Sequence, residues 1–450
     1  MTTQNRITDA PVVPTFFYFA LPSLVGLLAI SSASIVDGIF VGRYLGAGAL
    51  ASINLLIPYF TFMFSVCLMI AIGGTVLAGR YIGEKKQKKA DAIFSQSLLC
   101  AGLFTVSMAL LVTPNSEYLF EALNAPLSIH PAMDSYFGIM SYCLIIQLST
   151  MVLYYFVRAD GFPVLATTAL IIGSLTNIAL DVLFLGYLQL GIEWAAWATT
   201  FAQCIQLAIL LCFFKRKRRT LTLTLKGLKL KESARALING FSEFINEISV
   251  GIVIFTVHWL LLIEGDDAAI AGFSIANYVL FISMMAYYGI VDAIHILVSQ
   301  NLGAGHIRRI RQFMLLAAIT ILSISSVLVI VCTLYPHHLS QLFLSDIENA
   351  SQQRALLYLK IIWPCLMFSG LNVLISAYFT AIQKPLQSTI IALSRGLLLP
   401  VLFLLIFSIY FKQTHFLTAL PIAELVTLTL AITLFVIHQK RQKPPCPAYI

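Results

Sequence analysis

The sequence predicts an all-α membrane protein of twelve transmembrane helices in two pseudo-symmetric six-helix lobes. Three observations predict it. Of 450 residues, 59% are hydrophobic and only 11% are charged, whereas a soluble domain carries about 25% charged residues. Twelve apolar segments reach the ~20 residues that a helix needs to cross the hydrocarbon core. The second half of the chain also repeats features of the first at an offset of about 220 residues.

The segments cover 14–36, 50–79, 91–112, 132–157, 163–186, 193–214, 234–263, 270–300, 311–334, 355–381, 387–410 and 416–438. Several exceed the minimum, which allows tilt. Barrel strands would instead be short and alternating. No charged region with a small-residue cleavage site precedes the first segment, so it is expected to stay as a helix. That segment has Pro14 near its start, Pro22 inside and Asp37 at its outer end. A mid-helix proline removes one backbone hydrogen bond and favours a bend. A static kink and a hinge beneath Asp37 both fit.

The repeat is read from three alignments. GRYIGEKKQKKADAIFSQSL (79–98) lies over SQNLGAGHIRRIRQFMLLAA (299–318), which pairs Gly83 with Gly303. ALASINLL (49–56) lies over AIAGFSIA (269–276), and RADGFPVL (158–165) over TAIQKPLQ (380–387). A membrane chain built as two copies suggests a transporter with its site where the copies face each other. Residues 215–235, the longest basic connection, read as the linker between lobes 1–214 and 236–450.

Lys and Arg set the orientation. One set of connections holds Arg80, Lys85, Lys86, Lys88 and Lys89, then Arg158, the run from Lys215 to Arg235, then Arg308, Arg309 and Arg311, then Lys384, with Lys440, Arg441 and Lys443 in the tail. The opposite loops hold mainly acids: Glu117, Glu121, Glu264, Asp266, Asp267, Asp346 and Glu348; Arg43 and Lys412 are the exceptions. Both termini are therefore expected to be cytoplasmic. KRKRR (215–219) is a topological anchor on this reading, and no nucleic-acid partner is implied. The eight cysteines are scattered and form no C-x-x-C pair, so neither a zinc site nor a disulfide framework is indicated.

Ionisable groups inside spans cost free energy and mark pathways, relays or ion sites. Asp37 lies in segment 1. Asn177 and Asp181 lie in segment 5, four apart and so on one helical face. Segment 7 holds Glu243, Asn246 and Glu247; segment 8 holds Asp292 and His295; segment 11 holds Arg395. Glu243 is expected to face the headgroups beside Arg235. Glu247, Asp292 and His295 are candidates for meeting substrate or lining a water path. Two acids and an amide in one lobe suggest a cation site. Neighbouring buried carboxyls disfavour double ionisation, so they can hold a proton, or share Na⁺ with amide and hydroxyl oxygens.

In order and spacing, VDGIFVGRYLGAGALAS (36–52), the Gly83 and Gly303 loops, RADGFP (158–163), TNIALD (176–181), LGIEWAAWATT (190–200) and PIAEL (421–425) resemble the multidrug and toxic compound extrusion (MATE) transporters. The resemblance spans nearly the whole chain. It implies two six-helix lobes, a cavity between them, and export of hydrophobic or cationic compounds in exchange for H⁺ or Na⁺. Matched by motif, the first-lobe cation site falls on Asp37, Asn177, Asp181 and Thr199. Some branches also use an acid in helix 10. Segment 10 here has only Lys360 as a charged residue, so coupling through the first lobe is favoured.

The expected protein is a monomeric multi-pass antiporter of the plasma (inner) membrane, with small-molecule substrates and no cofactor beyond its coupling ion. The alternative is a lipid or polysaccharide-precursor flippase of the same superfamily. Such a flippase should line its cavity with several basic residues, and Arg395 is nearly alone. No repeated filter suggests a channel. No H-E-x-x-H, G-x-S-x-G or G-x-x-x-x-G-K-[ST] suggests an enzyme or ATP as the energy source.

Overall fold

The computed structural model of the chain describes residues 7–263, 267–341, 350–411 and 413–441, which are almost entirely helical and contain no strand. The loop residues Glu264, Asp266, Asp346, Glu348 and Lys412, and Lys443 of the tail, lie outside the described residues.

Helix α1 (Val12–Phe40) runs through a π-turn, Val41–Leu45, into α2 (Gly46–Gly83). The chain turns at Gly46, whose φ of 86° is a conformation that a Cβ disfavours. The sequence pattern ends the first helix at 36 and starts the second at 50. The structure instead turns within five π residues, because glycine supplies the reversal without a polar loop. Next come α3 (Gln87–Val112), α4 (His130–Ala159), α5 (Pro163–Asp181) and α6 (Ile192–Leu211). Pro163 sits in the first turn of α5, where a missing N–H costs nothing. A second π-turn, Val182–Tyr187, extends α5.

The later helices are α7 (Leu230–Ile263), α8 (Asp267–Gly303), α9 (Ile307–Leu334), α10 (Ala350–Ala381), α11 and α12 (Ala419–Arg441). α11 is made of Pro385–Leu393, the π-turn Ser394–Leu398 and Leu399–Tyr410. Twelve long helices result, as the composition requires. The short helices Ser116–Ala122, Pro336–Gln341 and Gln413–Thr418 carry no periodicity strong enough to read beforehand.

The chain divides into two compact units. The described residues up to Phe244 form one with His295–Phe313; Ile245–Ile294 form the other with those from Met314 onward. In the first unit α1 packs on α5, α4 on α6, α5 on α6, and α2 on α3 and α4. In the second, α12 packs on α10 and α11, and α11 on α10. The pairings α4–α6, α5–α6 and α4–α5 thus recur as α10–α12, α11–α12 and α10–α11.

Lipid tails are as apolar as leucine, so close packing of small residues holds membrane helices together. Within the first unit, a Cβ on Gly83 would fall 2.1 Å from the carbonyl oxygen of Gln300, and one on Gly303 would fall 2.1 Å from that of Arg80. Gly83 and Gly303 are the glycines paired by the repeat, and Arg80 and Gln300 stand at the same offset. The contact is therefore reciprocal. Gly73 of α2 and Gly240 of α7 make another reciprocal pair, with a Cβ on either meeting the other helix's backbone oxygen at 2.0 or 2.1 Å.

Two sequence expectations are corrected. Arg158, counted among flanking basic residues, is fully buried. It donates to Ser23 of α1 and packs over the rings of Tyr154 and Tyr155. Glu243, expected at the headgroups, is 6% exposed, and its Oε1 lies 3.8 Å from His295 Nε2. Part of the basic connection is also held firmly to the first unit. Asp160 accepts from the backbone N–H of Thr220 at 2.7 Å and of Leu221 at 3.3 Å, and from the Thr220 hydroxyl. Asp91 accepts from the Thr222 N–H and hydroxyl, both at 2.9 Å.

Candidate cation site

Three helices of the first unit bring the four motif residues together. Asp37 is near the end of α1, one turn before its π-turn. α5 carries Asn177 and Asp181 one turn apart, and α6 carries Thr199. Asp181 is fully buried and Asp37 is half-buried. Their carboxyl groups meet within hydrogen-bonding reach. Asn177 Nδ2 donates to Thr199 Oγ1 at 3.4 Å. Tyr136 of α4, 5% exposed, stands close enough to both acids to feel their charge.

The backbone around the acids is irregular. π-turns follow both Asp37 and Asp181, and such turns recur at functional sites because they re-aim side chains. The two π-turns touch each other. Gly186 in the second admits the rings of Phe40 and Tyr44, which stack with centroids 5.5 Å apart.

The hydrogen bonding is incomplete at the carboxyls. Asp37 Oδ1 and both carboxyl oxygens of Asp181 are buried and accept no hydrogen bond among the described residues. Ionised carboxylates are acceptors only, so two facing each other satisfy neither. An uncompensated buried charge costs several kcal/mol. A shared proton or a bound monovalent cation would remove that cost. Chemically, the set of two carboxyls, an amide and a hydroxyl suits either. No group of three or more His, Cys, Asp and Glu side chains suited to a metal ion occurs among the described residues.

The other candidates fall elsewhere. Glu247 is half-buried on α7, in the second unit. Asp292 and His295 are both buried on α8 but belong to different units. Pro22 lies inside an uninterrupted α1. Below and around it, Phe16, Phe19, Ala20, Ser23 and Gly26 are buried; beyond Gly26, only Ala33 is. Sequence reasoning missed Tyr136 and Glu424. Tyr136 lies two residues after Asp134, and nothing in its own helix names the acids it meets on others. Glu424 was visible as the acid of PIAEL, yet nothing in one helix names its partner on another.

Two related sets of long apolar helices, one holding a facing pair of carboxyls, fit a polytopic membrane transporter. The MatE family model matches residues 22–183 and 244–406, once in each half. The chain belongs to the MatE family, as the motif resemblance implied. It is 25% identical to the probable multidrug resistance protein YoeA of Bacillus subtilis, over 86% of this chain and 85% of that one. It is 23% identical to the multidrug export protein MepA of Staphylococcus haemolyticus, over 97% and 95%. It is 24% identical to an FAD transporter of Shewanella oneidensis, over 95% of both chains. The fold is shared with an outward-facing multidrug resistance MATE transporter of the MOP superfamily, with a TM-score of 0.90, 19% identity, and 98% of each chain covered.

Proposed function

We propose that the protein is a secondary active multidrug exporter that moves hydrophobic, often cationic compounds out of the cell in exchange for H⁺ or Na⁺ bound at Asp37 and Asp181. The observation that carries this reading is the facing pair of carboxyls, of which Asp37 Oδ1 and both Asp181 oxygens accept no hydrogen bond among the described residues. Asn177 and Thr199 supply further oxygens and a polar wall. The names of YoeA and MepA support the multidrug class. The name of the FAD transporter shows that related chains are also assigned a charged dinucleotide.

Ion binding would act through α1. Arg158 anchors this helix at Ser23, next to Pro22. The half bearing Asp37 is less buried and so freer to move. Neutralising the acid pair removes the cost of drawing it out of water, which would let the Asp37 half of α1 pack toward α5 and α6. A ligand shifts such an equilibrium only by its preference for one arrangement. On this reading the protein is a monomer in the inner membrane with cytoplasmic termini.

The test is efflux of a cationic dye from proteoliposomes under an imposed pH gradient and, separately, an imposed Na⁺ gradient. Dye loss under one of them is expected. Retention under both would overturn the reading, and movement of a lipid-linked precursor instead would reassign the protein to the flippases. Probes on α1 and α5 should also change separation as pH is lowered; a fixed distance in a transporting protein would leave Pro22 as a static kink.

A further inference from the structure

The second unit has its own buried polar cluster, which differs from the first in containing a cation. Arg395 lies in the π-turn of α11. Its Nε donates to Glu424 Oε1 of α12 at 3.2 Å, and its Nη2 to Met284 Sδ of α8 at 3.0 Å. Tyr288 of α8 also bonds the guanidinium. Asn372 of α10 donates to Glu424 Oε2 at 2.7 Å and to the Glu424 carbonyl at 2.9 Å. The Arg395 and Glu424 side chains are 11% and 13% exposed. Tyr287 and Cys365 also lie within electrostatic range of Glu424. Gly396 lets Ser249 of α7 close against the turn; a Cβ there would lie 2.8 Å from Ser249 Cβ.

The cluster draws on the counterparts of two helices that carry the first-unit site. α11 and α12 are the second-copy counterparts of α5 and α6 through the RADGFPVL alignment and the recurring helix pairings. Both α5 and α11 contain a π-turn beside a charged residue, Asp181 in one and Arg395 in the other, although by the RADGFPVL alignment Arg395 pairs with Gly173 and not with Asp181. In the first unit the polar side chains of these helices face a second acid and leave carboxyl oxygens unmet. In the second, each carboxyl oxygen of Glu424 has a donor.

We propose that Arg395 is a tethered counter-cation. Its guanidinium fills, in the second unit, the role that a mobile ion takes in the first, and so keeps Glu424 out of ion exchange. The inference rests on the acid pair of the first unit being the coupling site. A guanidinium stays charged across the accessible pH range and binds a carboxylate through a rigid fork of donors. A free ion would have to displace a cation held in place by the chain, whose effective concentration is far above that of bulk ions. Arg395 is thus a positioning residue that limits exchange to one site.

Infrared difference spectra of the purified full-length protein in lipid, in Na⁺-free buffer, test this by counting carboxyl groups that change protonation between about pH 5 and pH 9, the range that brackets perturbed carboxyls. The part of the signal due to Asp37 and Asp181 should vanish in Asp37→Asn/Asp181→Asn, leaving that of other raised carboxyls such as Asp160, and the whole wild-type signal should persist unchanged in Glu424→Gln. Arg395→Met should gain one carboxyl signal, and Arg395→Met/Glu424→Gln should lose it again. Arg395→Lys should keep the wild-type count. Loss of wild-type signal in Glu424→Gln would overturn the proposal, as would a folded Arg395→Met that gains none. If Arg395→Met does not fold, the Glu424→Gln comparison alone decides. The count needs no substrate and no gradient, so its failure is told apart from failure of the efflux reading.

Discussion

The two units handle the same difficulty in different ways. A carboxylate at membrane depth is tolerated only when something neutralises it. The second unit supplies Arg395 to Glu424 from within the chain and closes the set with Asn372. The first places Asp37 against Asp181, and Asp37 Oδ1 and both Asp181 oxygens accept no hydrogen bond among the described residues. A charge compensated internally is static, whereas one compensated from outside makes the fold sensitive to ion supply. On the proposed reading, two copies of one helical plan are specialised by a single side chain. Asn372 fits this view, since it stands on α10 and solvates Glu424 without adding a charge.

The largest effect is expected where the compensation is exchangeable. Asp37→Asn mimics the protonated form and should reduce gradient-driven dye efflux to the level of empty vesicles, with normal membrane insertion. Near-normal efflux at equal expression would break the contrast between the units at once. Asn177→Ala and Thr199→Ala remove neutral partners only. Each should weaken efflux a few-fold, in line with a net hydrogen-bond contribution of about 1 kcal/mol, and complete loss in either would shift the ion's main ligand away from the acids.

The reciprocal glycine contact sharpens the symmetry side of the comparison. Gly83→Ala and Gly303→Ala each push a methyl group into backbone at 2.1 Å. Overpacking of this kind costs about 1–3 kcal/mol, so both should lower the melting temperature in detergent, and by similar amounts. A large drop in one and none in the other would show that the paired glycines are not equivalent.

A smaller effect is expected outside the spans. Burial pushes the Asp160 carboxyl up from its ordinary 3.8 to about 6, although Thr220 and Leu221 donate to it. A carboxyl with a raised folded pKa binds its proton more tightly when folded. Its contribution to stability is therefore present at low pH and is lost as pH rises through about 6. The shift corresponds to at most about 3 kcal/mol. Wild type should gain melting temperature on Asp160→Asn as pH falls from about 7 to 4, the interval that spans both pKa values. A pH-independent difference would mean that the strap over residues 220–222 holds by geometry alone.

Much of the fold was legible because twenty-residue apolar runs have few alternatives in lipid. The grouping of the first-unit candidates was legible too. Asn177 and Asp181 share a helical face by spacing, and Asp37 and Thr199 fall in recognisable motifs. Partners across helices were not. Arg395 and Glu424 are 29 residues apart on different helices, and no local periodicity links them. Arg158 read as a flank because a basic residue at a segment's end usually snorkels to the interface; the rings of Tyr154 and Tyr155 and the hydroxyl of Ser23 bury it instead. Glu243 misled in the same way. The π-turns left no trace because they change hydrogen-bond register without changing composition.

The most direct measurement sets the two kinds of compensation side by side: dye efflux from proteoliposomes for Asp181→Asn and for Arg395→Met/Glu424→Gln, at matched protein content and under the same ion gradient. On the proposed reading, the first variant removes a charge that an exchangeable ion balances, and the second removes a pair that balances itself. The account predicts loss of gradient-driven efflux in Asp181→Asn and efflux within about twofold of wild type in the double variant, a factor worth less than 0.5 kcal/mol. Efflux that survives Asp181→Asn and fails in the double variant would contradict it.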